Sequence, residues 1–174
     1  MQIQKRESGL FIGYATVTKY APPWTEEDVL SGRAIPYDLV RSGPNALQYL
    51  GASAFWEFLL GNTPDLPFST NSAIGVGDGG GGVDKTLQDL TGTKFRKQVA
   101  GGYPLHTPSN TAATEETFWR AIFTGAQANF HWREWAIFNN TSGGLMLNRK
   151  VEDLGLKKSG ETWQFDIKTT LTSS

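Results

Sequence analysis

The sequence predicts a mainly β fold, an antiparallel β-sandwich or barrel, with one helix in its N-terminal half and an extended proline-rich arm. Three observations predict it. Apolar and polar residues alternate with a period of two over most of the chain after residue 62, as they do in half-buried strands. Gly-Gly, Asn-Asn and Ser-Gly pairs separate these stretches, as turns separate antiparallel strands. Aromatic residues form 12% of the chain, which suits a β-rich core.

The length, net charge and composition of the chain limit the classes of function it can have. The chain has 174 residues and a net charge of -1, so we expect one cored domain and no nucleic-acid partner, because nucleic-acid binders usually carry a basic excess. No cysteine is present, which excludes a disulfide frame and a thiolate nucleophile. The sequence has no apolar stretch long enough to span a membrane and no signal-peptide core, so we expect no membrane partner and cytoplasmic synthesis without secretion.

The first 44 residues are predicted to be a strand followed by an arm, and residues 45–174 a single β-rich domain. Residues 10–20 are β-branched and aromatic and predict the strand, while Thr25 and Gly32 can begin and end one turn of helix. Residues 21–44 contain four prolines and no clear periodicity, which favours an extended contact element. Its apolar residues are the candidate interface to another copy or another protein: Trp24, Ile35, Tyr37, Leu39 and Val40.

Residues 45–62 predict the helix. Asn45 can cap its N-terminus and Gly61 can end it near residue 61. Six apolar residues fall on one face at helical spacing: Leu47, Leu50, Ala54, Phe55, Phe58 and Leu59. Trp56 and Leu60 lie off that stripe, so we expect the helix to be covered on more than one side.

Alternation assigns faces to two later strands. In residues 161–172, Trp163, Phe165, Ile167 and Leu171 are predicted to point inward, and Gln164, Asp166, Lys168 and Thr170 outward. In residues 129–140, alternation places Phe130, Trp132, Ala136 and Phe138 on one face with Glu134, and His131, Arg133, Trp135 and Ile137 on the other.

Six glycines occur between Gly75 and Gly82, and they include a G-x-G-x-x-G pattern. That pattern binds dinucleotides only between a strand and a helix, and residues 83–92 are too short for such a helix before the β pattern resumes. A Walker loop would need Lys directly after the last glycine, where Val83 and Asp84 stand instead. We therefore expect no nucleotide and no other cofactor. Since glycine loses much entropy on ordering, the loop is predicted to be mobile or pressed against a neighbouring chain.

The candidate catalytic chemistry is sparse. His106 and His131 are the two histidines, and no carboxylate stands at ligand spacing to them, so we expect no metal site. No serine lies in a nucleophile-elbow sequence, although a Ser-His-Asp triad stays open because its members need not be adjacent. Glu134 lies between two tryptophans and is either a perturbed acid or the partner of an arginine, with Arg120, Arg133 and Arg149 as candidates. We expect no catalytic residues and no enzyme.

Several phrases together resemble a known family. They are "NSAIGVGDG", "TLQDLTGTKFRK", "FWRAIFTGAQANFHWREWAIFNN" and "GGLMLNRKVEDLGLKKSGETWQFDIKTTLT", which span roughly residues 71–172. In this order they resemble small structural proteins of tailed bacteriophages, and more loosely the first domain of phage tail-collar fibre proteins. The family-motif residues, with an implied structural role, are Gly75, Gly77, Asp78, Asn129, Trp132, Glu134, Asn148 and Arg149.

The resemblance implies a non-enzymatic virion protein located in the phage particle. The first function that the resemblance implies is that of a capsid decoration or cement protein bound to the repeating particle surface. A tail-collar or tail-fibre attachment adaptor is the alternative, and a receptor- or glycan-binding module is a third class, which exposed tryptophans on loops would favour. The implied partners are other copies of the chain, as a trimer or higher homo-oligomer, and the major capsid protein or a tail or collar protein.

Overall fold

A computed structural model describes residues 11–62, 67–108 and 114–172. The described residues form nine strands and two helices. Their bounds are β1 Phe11–Tyr20, α1 Glu26–Leu30, β2 Asp38–Leu47, α2 Tyr49–Leu59, β3 Ala73–Gly77, β4 Lys94–Gln98, β5 Leu105–His106, β6 Thr114–Phe123, β7 His131–Phe138, β8 Met146–Leu156 and β9 Thr162–Thr172. The predicted mainly β class is confirmed, with 46% strand and 11% helix.

The strands form two antiparallel sheets. One has five strands in the order β2-β1-β9-β6-β5, and the other has four in the order β4-β3-β7-β8. The last two residues of β2 leave β1 and pair with Asn148 and Arg149 of β8, which joins the sheets along one edge. The long central strand β9 pairs with β1 on one side and β6 on the other over ten residues each. This register fixes the faces of the larger sheet.

Aromatic side chains from both sheets meet in the core. The Trp132 ring lies 4.7 Å from the rings of both Phe123 and Trp163, and the Trp135 ring lies 5.6 Å from that of Phe165. The predicted burial of Trp163, Phe165 and Ile167 is confirmed. Leu171 is 41% exposed, so its predicted burial is wrong; it borders an open cavity at the end of the sheet.

The predicted faces of β7 are wrong at its start. Between Trp132 and Glu134 the partner residue in β8 changes from Gly155 to Val151, so β8 has two more residues than β7 at this β-bulge. Trp132 and Trp135 therefore both join the sandwich core. Ala136 packs with Leu90 in a separate cluster on the other side of the strand. Glu134 lies on that same side, so it does not share the face of Trp132.

The N-terminal region is part of the sandwich. Helix α1 begins as predicted, because the Thr25 hydroxyl accepts a hydrogen bond from the Asp28 amide at 3.2 Å. Gly32 follows the helix with φ +74°, a conformation that favours glycine. Residues 38–47, however, form β2, which pairs with β1. The predicted arm therefore includes a strand of the larger sheet, and the predicted boundary at residue 44 falls inside that strand.

Helix α2 begins four residues later than predicted. Asn45 belongs to β2, and Gln48 precedes the helix without a side-chain capping bond. Within the helix only Gly51 and Ala54 are buried, and a Cβ on Gly51 would overlap the carbonyl of Leu147. The helix thus packs on β8 through its smallest residues. Trp56 stays 66% exposed, so the described residues do not provide the expected cover on a second side of the helix.

Candidate functional site

The glycine-rich segment after β3 lies on the face of β7 that points away from the sandwich core. Asp78 closes its base, because the Asp78 amide donates to the Thr93 carbonyl at 2.9 Å and the Thr93 amide donates to Asp78 Oδ1 at 2.7 Å. Further along, Leu90 packs with Ala136 and Phe138 of the sheet. The segment is therefore held against its own sheet at several points.

Glu134 lies beneath this segment and is fully paired. Arg149 donates to Glu134 Oε2 from Nε at 2.7 Å and from Nη2 at 2.5 Å. Thr91 donates to Oε1 from its amide at 2.5 Å and from its hydroxyl at 3.0 Å. The side chains of Glu134 and Arg149 are 0% and 2% exposed. Of the three candidate arginines, Arg149 is the partner, and this carboxylate is placed to hold structure together.

The motif glycines make room for this arrangement. A Cβ on Gly77 would lie 2.8 Å from Glu134 Oε1, and one on Gly79 would lie 2.6 Å from the same atom. A Cβ on Gly75 would lie 2.6 Å from the ring of Phe138. These positions therefore need glycine for close approach. The prediction of a loop either mobile or pressed on a neighbour missed this third arrangement, in which the loop packs on its own chain.

Asn129 meets a buried lysine that the sequence analysis did not single out. Its side-chain amide donates to the Gly125 carbonyl at 2.9 Å, and its Oδ1 accepts from Lys157 Nζ at 3.0 Å. Lys157 also donates to the Thr124 carbonyl at 2.9 Å and is 1% exposed. Burial lowers the pKa of Lys157 to about 8. A lysine two residues before a Ser-Gly turn carries no sequence signal of burial, so only the fold reveals it.

Trp132 and Asn148 mark the two irregularities of β7. Trp132 donates from Nε1 to the Ala128 carbonyl at 2.9 Å, and Ala128 has φ +51°. Asn148 Oδ1 accepts from the Ile137 amide at 2.9 Å, next to the second register shift of β7 against β8. Each of the eight family-motif residues thus has a contact that shapes the fold.

The two histidines lie in separate, partly exposed ion-pair settings. His106 Nδ1 lies 2.8 Å from the Glu116 carbonyl, and its Nε2 lies 3.8 Å from Glu115. His131 Nε2 lies 2.6 Å from Asp153 and lowers the pKa of that carboxyl. Across residues 11–62, 67–108 and 114–172, no three metal-ligating side chains come together as a cation site would require. In the same ranges, no helix is long and apolar enough to cross a membrane.

Two exposed apolar surfaces are the candidate functional features. The first, the β2 patch, consists of Ile35 and Tyr37, which precede β2, and Leu39 within it; they are 70%, 52% and 43% exposed. The Tyr37 hydroxyl donates to Glu161 at 3.1 Å, and together with burial this bond raises the pKa of Tyr37 to about 12. The patch therefore presents a tethered aromatic ring to solvent.

The structure places the other two predicted interface residues against the chain's own core. Trp24 is half-buried and packs against a cluster that contains Tyr20 and Ile122. Val40 is half-buried against the main core. Their role as interface anchors stays a prediction, but only the three residues of the β2 patch are largely free to meet a partner.

The second surface, the α2 face, consists of Tyr49, Trp56, Leu59 and Leu60, each 63% to 76% exposed. Trp56 and Leu60, outside the predicted stripe, were the sequence signal for it, whereas Leu59 was predicted on the stripe and is 76% exposed, so its predicted packing is wrong. An apolar cavity of about 760 Å³ lies beside the helix and is lined in part by Phe55, Phe58 and Trp119. The chain thus offers apolar contact surface on two separate elements.

A scan against protein-family models, a search of curated proteins and a search of solved structures each found no match.

Proposed function

We propose that this chain is a non-enzymatic structural protein of a tailed-bacteriophage virion, and that it decorates the capsid. The motif order over roughly residues 71–172 supports the virion assignment by resemblance, and the β-sandwich is compatible with it. The buried Glu134 carboxylate accepts hydrogen bonds from Arg149 and Thr91. These contacts give the strongest candidate for a catalytic acid a structural role.

The observation that carries the proposal is the β2 patch. Its three apolar side chains lie at the entry to β2 and on its second residue, and the Tyr37 ring is fixed by its bond to Glu161. Burying a large apolar side chain contributes about 1.5–3 kcal/mol, and a tethered ring loses little rotamer entropy on docking. A small protein that binds a repeated lattice needs such a preorganised apolar contact.

Particle binding tests the proposal. Phage particles that lack the protein would be mixed with the wild-type chain or with the triple variant Ile35→Ser, Tyr37→Ser, Leu39→Ser and then sedimented. We expect the wild type to co-sediment and the variant to stay in the supernatant with an unchanged circular dichroism spectrum. Leu156→Ser is the matched control, because Leu156 is also 54% exposed but lies on β8. Absence of the protein from purified virions would overturn the proposal.

A tail-collar or fibre-attachment adaptor is the second candidate, because the motif order also resembles tail-collar fibre domains. Copy number separates the two. Hundreds of copies per particle support decoration of the capsid, whereas about three, six or twelve copies fit the rotational symmetry of a tail or collar. A glycan-binding module gains less support, since four of the six tryptophans are core residues: Trp119, Trp132, Trp135 and Trp163.

A further inference from the structure

We infer that the α2 face is a self-association surface, on which two copies of the chain pair through antiparallel α2 helices. The helix turns small residues inward and large ones outward. Gly51 and Ala54 are its buried residues, whereas Trp56 and Leu60 are 66% and 68% exposed. A water-facing helix normally shows the reverse arrangement. This inference does not depend on virion membership.

The exposed residues form a continuous seam. Tyr49, Ser53, Trp56 and Leu60 follow one another at spacings of four, three and four, which places them on one side of a helix. Ser53 is exposed and small, so it leaves a gap in the seam between the rings of Tyr49 and Trp56. The seam therefore has both a projection and a recess.

Antiparallel pairing makes this seam self-complementary. When two α2 helices are centred between residues 54 and 55, Trp56 of each copy lies opposite Ser53 of the other, and Tyr49 lies opposite Leu60. The Trp56 ring of each copy then fills the gap at Ser53 of the other copy, so the same contact occurs twice, as a two-fold interface requires. Trp and Tyr are also the residues most enriched among binding hot spots.

The electrostatics permit a contact between identical surfaces. A two-fold axis brings each residue near its own copy, so a charged face would repel itself. Glu57 is the one ionisable carboxylate in α2, which has no lysine or arginine, and it is half-buried and lies off the seam. The face is therefore apolar and almost uncharged, and a second copy meets no like charge along the seam.

The available area suits a modest dimer. Large apolar side chains bury ~150–250 Å² each, so four of them at 63% to 76% exposure present on the order of 500 Å² per chain. A standard interface buries ~800 Å² per partner. We therefore expect reversible association that depends on protein concentration.

Sedimentation velocity over a concentration series tests the inference. We expect the wild-type chain to shift from monomer to dimer as its concentration rises, and the double variant Trp56→Glu, Leu60→Glu to stay monomeric with an unchanged circular dichroism spectrum. Leu156→Glu is the matched control, because Leu156 is 54% exposed and lies at the opposite end of β8 from Leu147, on which α2 packs. A wild type that remains monomeric throughout, or a double variant that associates like the wild type, would overturn the proposal.

Cross-linking tests the pairing geometry. The chain has no cysteine, so Ser53→Cys creates a single thiol beside the two-fold axis. A short bis-maleimide should cross-link this variant into dimers, whereas Ser159→Cys, in an exposed turn, should remain monomeric. Association that requires Trp56 but gives no cross-link at position 53 would overturn the antiparallel pairing. Particle binding is proposed to use the β2 patch, which shares no residue with the α2 face. A failure of particle binding therefore leaves the test of self-association unaffected.

Discussion

Glu134 and Arg149 form an ion pair 2.5 Å long beneath the glycine-rich segment, and neither side chain is more than 2% exposed. The pair links β7 to β8, and Thr91 adds two donors to the same carboxylate. This arrangement explains the glycine motif without any ligand. The segment can lie over the pair only because Gly77 and Gly79 carry no side chain.

Arg149→Met should be strongly destabilising. The substitution leaves the Glu134 carboxylate buried without its cation, and loss of one partner of a buried pair costs about 3–5 kcal/mol. Urea denaturation measures the change in the free energy of unfolding. Arg120→Met is the control, because its pair with Asp166 is about one-third exposed and such pairs contribute ~1 kcal/mol or less. Equal losses in the two variants would contradict the structural role assigned to Glu134.

Gly79→Ala and Gly80→Ala should differ sharply. A Cβ on Gly79 would overlap the Thr91 hydroxyl and lie 2.6 Å from Glu134 Oε1, whereas one on Gly80 meets nothing within 4 Å. Overpacking of this kind typically costs about 1–3 kcal/mol, so Gly79→Ala should lower the thermal midpoint and Gly80→Ala should leave it nearly unchanged. Similar midpoints for both variants would show that the segment does not pack closely on the sheet.

The sequence predicted which face of a strand a side chain occupies where apolar and polar residues alternate without interruption. In β9, pairing on both sides keeps the period of two intact, so the inward positions of Trp163 and Phe165 followed from the pattern. In β7, the alternation reverses after Trp132, where β8 advances four residues for two of β7, and no residue type in that stretch signals the shift. The faces of β7 could therefore not be read from its sequence.

The surroundings of Glu134 were predictable only in part, because the pairing of strands that are distant in the sequence determines which side chains meet there. Three arginines were candidates for Glu134, and the register of β7 against β8 selects Arg149. Residues 38–44 lack clear alternation, yet β1 supplies a partner strand and they join the sheet. The start of α2 was misplaced for the same reason, since the strand continues through Asn45.

Phe165→Ala should be far more damaging than Lys168→Ala. Phe165 is fully buried and its ring contacts those of Trp132 and Trp135, and truncating a buried aromatic to Ala costs about 3–5 kcal/mol. Lys168 forms a half-exposed ion pair with Glu116, for which a loss of ~1 kcal/mol or less is typical. Denaturant titration of the two purified variants gives the comparison. Comparable losses would mean that the register of β9 is misassigned.

Lys157 should give the chain a stability that rises with pH in the alkaline range. Burial lowers its pKa from 10.5 to about 8 in the folded state, so between those values the unfolded chain binds more protons and the free energy of unfolding increases with pH. The gain is fully present above the unfolded pKa, is lost as pH falls through 8, and reaches about 3 kcal/mol at most.

Lys157→Met keeps the apolar stem and removes the ammonium, so its stability should lack this rise, although it loses the bonds to Thr124 and Asn129. Lys158→Met, at an exposed neighbour, makes the same charge change and should retain the rise. Urea denaturation of all three proteins between pH 7 and 10.5 measures the slopes, and parallel curves for wild type and Lys157→Met would refute the assignment.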